Sequence, residues 1–416
     1  MKHFGLITPP VPGHIHPFAA LGRELIARGH RVTCFHMQDL EAKIRSEGLE
    51  FWPIGLSDHP RGSLPRSLAE LATRRGVSAL RFTIDAVART TKMTCRDAPA
   101  AIREAAVDAL LVDQMEPAGG AVAEHLQLPF VTVCNAMAIN RDPAVPPPFT
   151  PWAYRNVWWA RLLNRAGYAI SDRLTKPISD AVGQYRKNWN LPILRSPDDS
   201  FSRLAQICQM PRELDFPRSA LPESFHYVGP LRGAVNASPS FPWERLDGRR
   251  VVYASLGTLQ NRREPLFRCF AEACRGLNVQ LVIAHGGGLG ASEAKGLPGD
   301  PLVVEYAPQL ELLARARLTI THGGLNTVLD SLANGVPLVV IPLTYEQPAI
   351  ARRVEWVGAG QSLSSQKLNP SRLRRAVHTT LEQPQYEACA RRIQESIVLS
   401  RGVGGAADTI ESVCDV

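Results

Sequence analysis

Leu318-Thr-Ile-Thr-His-Gly-Gly-Leu-Asn-Thr-Val-Leu-Asp330 runs from a short apolar stretch through two glycines into a helix-like stretch. That is a strand, a tight turn and a helix start. Gly323 and Gly324 let a backbone approach an anion closely, and the helix start offers unpaired N–H groups at its positive dipole end. His322, Asn326 and Thr327 add side-chain donors. A glycine pair before a helix also serves in plain turns, so the surrounding sequence has to decide. Ser255-Leu-Gly-Thr258 follows another apolar run in the same half of the chain and supplies a second such loop through Ser255, Gly257 and Thr258. Two loops of this kind favour a phosphate pocket over two coincidental turns.

Outward from this unit the same pattern repeats. Apolar runs at Val251–Ser255, Val279–Ala284, Leu302–Glu305, Leu318–Thr321 and Leu338–Ile341 predict strands with helices between them. The first half repeats the grammar: a strand at Phe4–Thr8, a proline-glycine loop, a helix at Phe18–Ala27, then strands at Arg31–Phe35, Ala109–Val112 and Phe130–Cys134. Repeated βαβ units imply an α/β protein with doubly wound parallel sheets. Between the halves, GAVNASPSFPWERLDG (Gly233–Gly248) has linker composition. The expected division is a first domain over 1–232, a linker over 233–249 and a second domain over 250–416, with the last helix free to cross back to the first domain. A chain of 416 residues is long enough for two cores. Ligands in such sheets sit at the carboxyl ends of strands, which directs attention to the loops there.

In the first loop, Thr8-Pro-Pro-Val-Pro-Gly-His-Ile-His-Pro17, His14 stands at the mouth of the first βα turn. A neutral imidazole there can take a proton from a hydroxyl, its ordinary pKa of about 6.5 lying near working pH. Asp113 follows the run Ala109–Val112, so it belongs at the same sheet edge, where a carboxylate can fix the ring's tautomer. The plainer alternatives are that each residue only caps the helix after it. His14 and His16 also form an H-x-H pair that His30 or His36 could complete, but no cluster at ligand spacing and no D-x-D pair accompanies them. The expectation is a site without metal and without a cofactor.

The eight cysteines are scattered with no C-x-x-C pair, which fits a reducing cytoplasm better than a disulfide framework. The opening residues lack the apolar run of a signal peptide, and no stretch approaches the ~20 apolar residues of a membrane span. The net charge of +8 favours anionic partners, yet no nucleic-acid motif is present and no nucleic acid is expected.

Taken in order, Tyr306-Ala-Pro-Gln309, His322-Gly-Gly-Leu-Asn-Thr327, Asp330, Gly335-Val-Pro337 and Pro342-Leu-Thr-Tyr-Glu346-Gln347 resemble the donor-binding signature of the UDP-dependent glycosyltransferases, the GT-B superfamily. Gly13-His14-Ile-His-Pro17 extends the resemblance to the first half. More narrowly, Val112-Asp-Gln-Met-Glu-Pro-Ala-Gly119, Glu213-Leu-Asp-Phe-Pro217, Tyr227-Val-Gly-Pro-Leu231 and Ser255-Leu-Gly-Thr-Leu-Gln260 are similar to bacterial zeaxanthin glucosyltransferases. The resemblance implies two Rossmann-like domains facing a cleft, UDP-glucose as donor, and an apolar hydroxylated acceptor such as zeaxanthin. Other terpenoids, flavonoids or macrolides are the alternative acceptors. It further implies Tyr306 stacked on uracil, Ala307 hydrogen-bonded to it through the backbone and Gln309 near the ribose. His322, Gly324, Asn326 and Thr327 would hold the phosphates, Asp330 the ribose hydroxyls, and Glu346 with Gln347 the sugar. Three positions depart from the family: Tyr306 replaces tryptophan, Asp330 is shorter than glutamate, and Glu346 is longer than aspartate, which puts sugar choice in question. His14 backed by Asp113 would deprotonate the acceptor for an inverting displacement. A sugar-nucleotide epimerase or a non-catalytic UDP-sugar-binding protein are the readings from other classes.

Residues 146–168 (PPPFTPWAYRNVWWARLLNRAGY) interleave aromatics with arginines, and 61–103 carries nine basic residues against three acidic ones. Either the first domain docks on an anionic membrane surface, peripheral on the inner face, or these aromatics line a buried acceptor pocket.

Overall fold

The computed structural model describes residues 1–74, 76–233, 239–258 and 261–414. Two wholly parallel sheets organise it. The first contains β1 (His3–Ile7), β2 (Arg31–His36), β3 (Glu50–Pro53), β4 (Ala109–Asp113), β5 (Phe130–Cys134), β6 (Gln206–Cys208) and β7 (Phe225–Tyr227), in the order β3-β2-β1-β4-β5-β6-β7. The second contains β8 (Arg250–Ser255), β9 (Val279–Ala284), β10 (Leu302–Val304), β11 (Ala316–Thr321), β12 (Leu338–Val340) and β13 (Gly360–Ser362), in the order β10-β9-β8-β11-β12-β13. Helices cover both faces of each sheet, which is why β1, β4 and β9 are buried along their whole length and read as unbroken apolar runs.

Each sheet reverses its winding once, between β1 and β4 and between β8 and β11. A crevice opens at such a point because the flanking loops leave in opposite directions. The register fixes what lines it: Ile7 pairs with Val112, so the loop to His14 and the side chain of Asp113 start level. In the second sheet Thr321 pairs with Ser255, so the His322 loop and the Ser255–Thr258 loop start level as well.

The predicted strands recur within a residue or two. β3, β6, β7 and β13 had no strong apolar run; they are short, and polar residues such as Glu50, Gln206 and Gln361 occupy them. The first helix spans Pro12–Ala27, beginning six residues before the expected Phe18, so Gly13, His14 and His16 are helical and do not lie in a loop. Proline at its first position, with φ already fixed, makes that early start favourable. Of the proposed linker, 234–238 lie outside the described residues; beyond them Phe241 is buried and Trp243–Arg245 forms one 3₁₀ turn packed on the second sheet's core. The final helix, Gly402–Val413, packs on helix Pro12–Ala27, with Ala406, Ala407 and Ile410 in the first sheet's core. Arg28 clasps it through Asp408 and Glu411 at 2.7 Å each.

A third apolar cluster joins the halves: Met137, Met210 and Leu214 pack with Leu325, Val328, Ile350 and Ile393. Beside it Arg353, fully buried on helix Gln347–Trp356, pairs with Asp215 at 2.8 Å, and Asp215 also takes Arg218 at 2.6 Å.

Candidate active site between the two sheets

His14 Nδ1 lies 2.8 Å from Asp113 Oδ2. Asp113 is 1 % exposed, accepts from Asn135 Nδ2 at 2.7 Å and from the Met115 N–H at 2.8 Å, and is thereby fixed in orientation. With Nδ1–H committed to Asp113, Nε2 is the basic nitrogen of the ring. Burial alone would make His14 less basic, but the Asp113 charge and hydrogen bond, with a smaller contribution from Glu346 of the second half, raise its pKa above the ordinary value. His16 turns to Glu47 (3.0 Å) and His30 to Glu411 (3.0 Å), while His36 Nδ1 accepts from its neighbour's N–H. The H-x-H pair therefore diverges, and among the described residues no group of three His, Cys, Asp or Glu is placed to hold a metal ion.

Opposite stands the glycine loop. Gly323 has φ +90°, Gly257 φ +70°, and a Cβ on Gly257 or Gly324 would sit 2.9 or 2.7 Å from the His322 ring. Only glycine lets His322 lie folded between the two loops. Burial pushes its pKa down to about 4, against a small opposing effect of the Ser255 carbonyl, so near neutral pH the ring is an uncharged donor. Gly324 caps helix Leu325–Ala333, and Thr327 is buried in its first turn. Ser255 Oγ accepts from the Gly257 N–H at 3.2 Å, and Thr258 is exposed.

One contact between the halves at the site is encoded by a proline. Pro17 has no N–H to give the Gly13 carbonyl four residues back in the helix. Asn326 Nδ2 donates to that carbonyl instead, at 2.9 Å, so the acid–base pair and the glycine loop are held against each other.

The remaining candidates fall around the loop. Tyr306 is 51 % exposed after β10, with Ala307 half-buried beside it. Gln309 donates to Asp330 Oδ2 at 2.6 Å and accepts from the Tyr253 hydroxyl at 3.1 Å. Glu346 precedes helix Gln347–Trp356, and Gln347 Oε1 accepts from the N–H groups of Leu343 and Thr344 at 2.9 and 3.0 Å, which leaves its NH₂ for another partner.

The model of the family "UDP-glucoronosyl and UDP-glucosyl transferase" matches residues 23–396. The chain belongs to that family. It is 39 % identical to the zeaxanthin glucosyltransferase of Pantoea ananas over 99 % of this chain and 96 % of the relative. To the zeaxanthin glucosyltransferase of Pseudescherichia vulneris it is 38 % identical over 88 % of this chain and 86 % of the relative. Its fold superposes on the crystal structure of the kitacinnamycin glycotransferase with a TM-score of 0.75, covering 99 % of each chain at 24 % identity. The protein is a sugar-transferring enzyme of the GT-B fold.

In this glycosyltransferase three residues of the site escaped the sequence reading. Asn135 directly follows the run of β5, as Asp113 follows that of β4, and that parallel could have found it. Gln209, fully buried, donates to the Asn135 carbonyl and, at 3.1 Å, to Asn326 Oδ1. Arg232, one residue past Tyr227-Val-Gly-Pro-Leu231, donates to Asp330 Oδ1 at 2.7 Å, Gln209 Oε1 at 3.3 Å and the Asn326 carbonyl at 3.3 Å. No sequence pattern announces either of these two, because their partners are about a hundred residues away.

The aromatic segment of the transferase is at the surface. Trp158 is 74 % exposed and Trp159, Leu162, Leu163 and Ile170 are also exposed on helix Trp158–Asn188, among exposed Arg155, Arg161 and Arg165. Trp152, Tyr154 and Tyr168 turn inward, Trp152 against Gly167, Tyr154 stacked on Phe216 at 5.3 Å, and Tyr168 buried with its hydroxyl donating to the Val145 carbonyl at 3.2 Å. Among the described residues no helix is long and apolar enough to cross a membrane.

Proposed function

We propose that this glycosyltransferase moves glucose from UDP-glucose to a hydroxyl of an apolar acceptor, a hydroxylated carotenoid such as zeaxanthin, with inversion at the anomeric carbon. The observation that carries the reading is the His14–Asp113 pair held against the glycine loop through Gly13 and Asn326. His14 Nε2 takes the acceptor's proton as its oxygen attacks the anomeric carbon, and the bond from that carbon to the diphosphate breaks on the opposite side. Asp113 stabilises the imidazolium as it forms. Negative charge growing on the diphosphate meets the N–H groups of the Leu325–Ala333 helix start and the neutral His322, donors that strengthen as the bond breaks. Tyr306 stacks on the uracil, Ala307 and Gln309 sit at the base and ribose, and Asp330 takes the ribose hydroxyls with Arg232 and Gln309 holding it in place. Glu346 and the free amide of Gln347 hold the sugar. The two carotenoid glucosyltransferase relatives support the acceptor class.

The test is incubation with UDP-glucose and a panel of hydroxylated acceptors, followed by mass spectrometry and NMR of the linkage. Acceptor-dependent UDP release with a β-glucoside is expected. An α-linked product, UDP lost at the same rate without acceptor, or turnover abolished by a chelator and restored by magnesium would each overturn the reading.

Such an acceptor dissolves in lipid, and the exposed Trp158–Ile170 face with its arginines has the chemistry of an interfacial helix. We propose that this face docks on anionic membrane. Flotation with anionic vesicles should carry the protein at low salt and release it when Trp158, Trp159 and Leu162 are replaced by serine; no retention at any salt ends the idea.

A further inference from the structure

Beside the acid–base pair lies a cavity of about 10 Å³, room for one group the size of a water or a hydroxyl, lined by Thr8, Pro10, Phe35, His36, Ile54, Met93 and Glu116 among others. Its place follows from register. Thr8 follows Ile7, the partner of Val112, and His36 stands two residues beyond Cys34, the partner of Leu6, so Thr8 and His36 end their strands level with Asp113. Glu116 is tied to the same edge, its N–H donating to the Asp113 carbonyl at 2.9 Å. Pro10 belongs to the segment that leads into the His14 helix.

Two buried polar atoms here make no hydrogen bond of normal geometry, Thr8 Oγ1 and His36 Nε2, the latter lying near the Pro9 and Thr8 carbonyls. Thr8 is 3 % and His36 4 % exposed. Since His36 Nδ1 accepts from the Met37 N–H at 2.7 Å, the ring's proton is on Nε2, which therefore presents a donor. Burial pushes the His36 pKa down to about 4, with minor opposing effects from the Pro9 and Thr8 carbonyls, and keeps the ring neutral. Burial also pushes Glu116 up to about 8, against the Ala118 N–H, so that near neutral pH this carboxyl carries a proton it can donate. A buried donor left unsatisfied costs roughly 1–3 kcal/mol, so a partner belongs here. Thr90 and Thr94 of the Gly76–Glu104 helix also line it, and the rest, Ile7, Pro10, Phe35, Met37, Ile54 and Met93, is apolar.

We infer that Thr8, His36 and Glu116 form a polar subsite in the acceptor region, which receives a second oxygen of the acceptor, a hydroxyl or carbonyl, besides the hydroxyl that His14 deprotonates. The inference rests on the transferase reading above and, among its hydroxylated carotenoids, favours one whose ring carries a second oxygen beside the reacting hydroxyl over zeaxanthin, whose rings carry one oxygen each. The neutral carboxyl and the imidazole N–H donate to that oxygen, and Thr8 either donates or accepts.

The experiment uses pairs of ring alcohols that differ only in a second oxygen near the reacting hydroxyl. Binding to the full-length enzyme without donor is measured by calorimetry, and kcat/KM with UDP-glucose is measured separately. Wild type is expected to prefer the doubly oxygenated partner by about tenfold, the worth of one hydrogen bond to a buried group. Thr8→Val and His36→Phe should abolish that preference and leave the singly oxygenated alcohol within about threefold. Thr8→Val, which removes an unpaired hydroxyl at nearly constant shape, should melt no lower than wild type. Equal affinity of wild type for both alcohols, or an equal loss for both in the variants, overturns the subsite and assigns the cavity to a structural water. Preferential binding without turnover would instead keep the subsite and refute the donor or the reaction.

Discussion

Two histidines face each other's half of the molecule, and burial acts on both in the same direction, yet they end in opposite states. His14 sits against a buried carboxylate and is made more basic than usual, whereas His322 sits among glycines and backbone and is held neutral, with its pKa near 4. The difference teaches what each side needs. The proposed base must welcome a proton, so that reading requires a side-chain charge fixed beside His14, and Asn135 and the Met115 N–H fix that charge. If His322 faces the phosphates as proposed, a donor that changed its protonation near pH 7 would make donor binding pH-dependent, and a ring held neutral avoids this.

The contrast can be broken most severely at His14. His14→Ala should lower kcat by about 10²- to 10⁴-fold with folding intact, the span for loss of a positioned base. His322→Ala should cost about 10²-fold, as for loss of one preorganised donor, and should do so equally at every pH from 6 to 9. Next comes Gly324→Ala: its Cβ would press on the His322 ring at 2.7 Å, and donor KM should rise about tenfold while acceptor KM stays put. The pH profile sharpens the comparison further. His14 acts only when unprotonated, so with its pKa raised the acid limb of kcat/KM should fall at a midpoint above 6.5, and Asp113→Asn should move that midpoint down as it lowers the rate. His322, neutral throughout that range, should contribute no limb of its own. The mildest test is Pro17→Ala, which gives the Gly13 carbonyl an N–H within its own helix and sets it in competition with Asn326. Donor KM should rise about threefold while melting temperature rises, since proline is the poorer helix residue by about 3 kcal/mol.

How much of this the sequence carried depends on how far each interaction reaches. Strands such as Val279–Ala284 were plain because both faces of a parallel sheet are apolar, and the glycine turn between strand Ala316–Thr321 and helix Leu325–Ala333 was plain because it is written in adjacent residues. His14 and Asp113 could be proposed as partners, because the rule about strand ends brings distant residues to one edge. The early helix start was missed because three prolines in six residues read as loop, although Pro12 stands where a helix accepts it. Arg232 and Gln209 were illegible, since a polar residue that bridges two domains leaves no periodic trace. Whether the aromatic stretch lined a pocket or faced outward depended on which side of the Trp158–Asn188 helix meets the Gly76–Glu104 helix, a matter of packing.

The return of the last helix to the first sheet has a mechanical consequence. The polypeptide passes between the halves twice, once after Leu231 and again near Ser400, and the two passages are stapled together where the Gly402 N–H meets the Val228 carbonyl at 2.7 Å. Two passages fastened side by side, together with the apolar cluster and the Asp215–Arg353 pair, fix how the halves are oriented and keep His14 in one position relative to the glycine loop. Removing the final dozen residues would therefore strip the first half of part of its core, leaving the second half, to which they are adjacent in sequence, comparatively untouched.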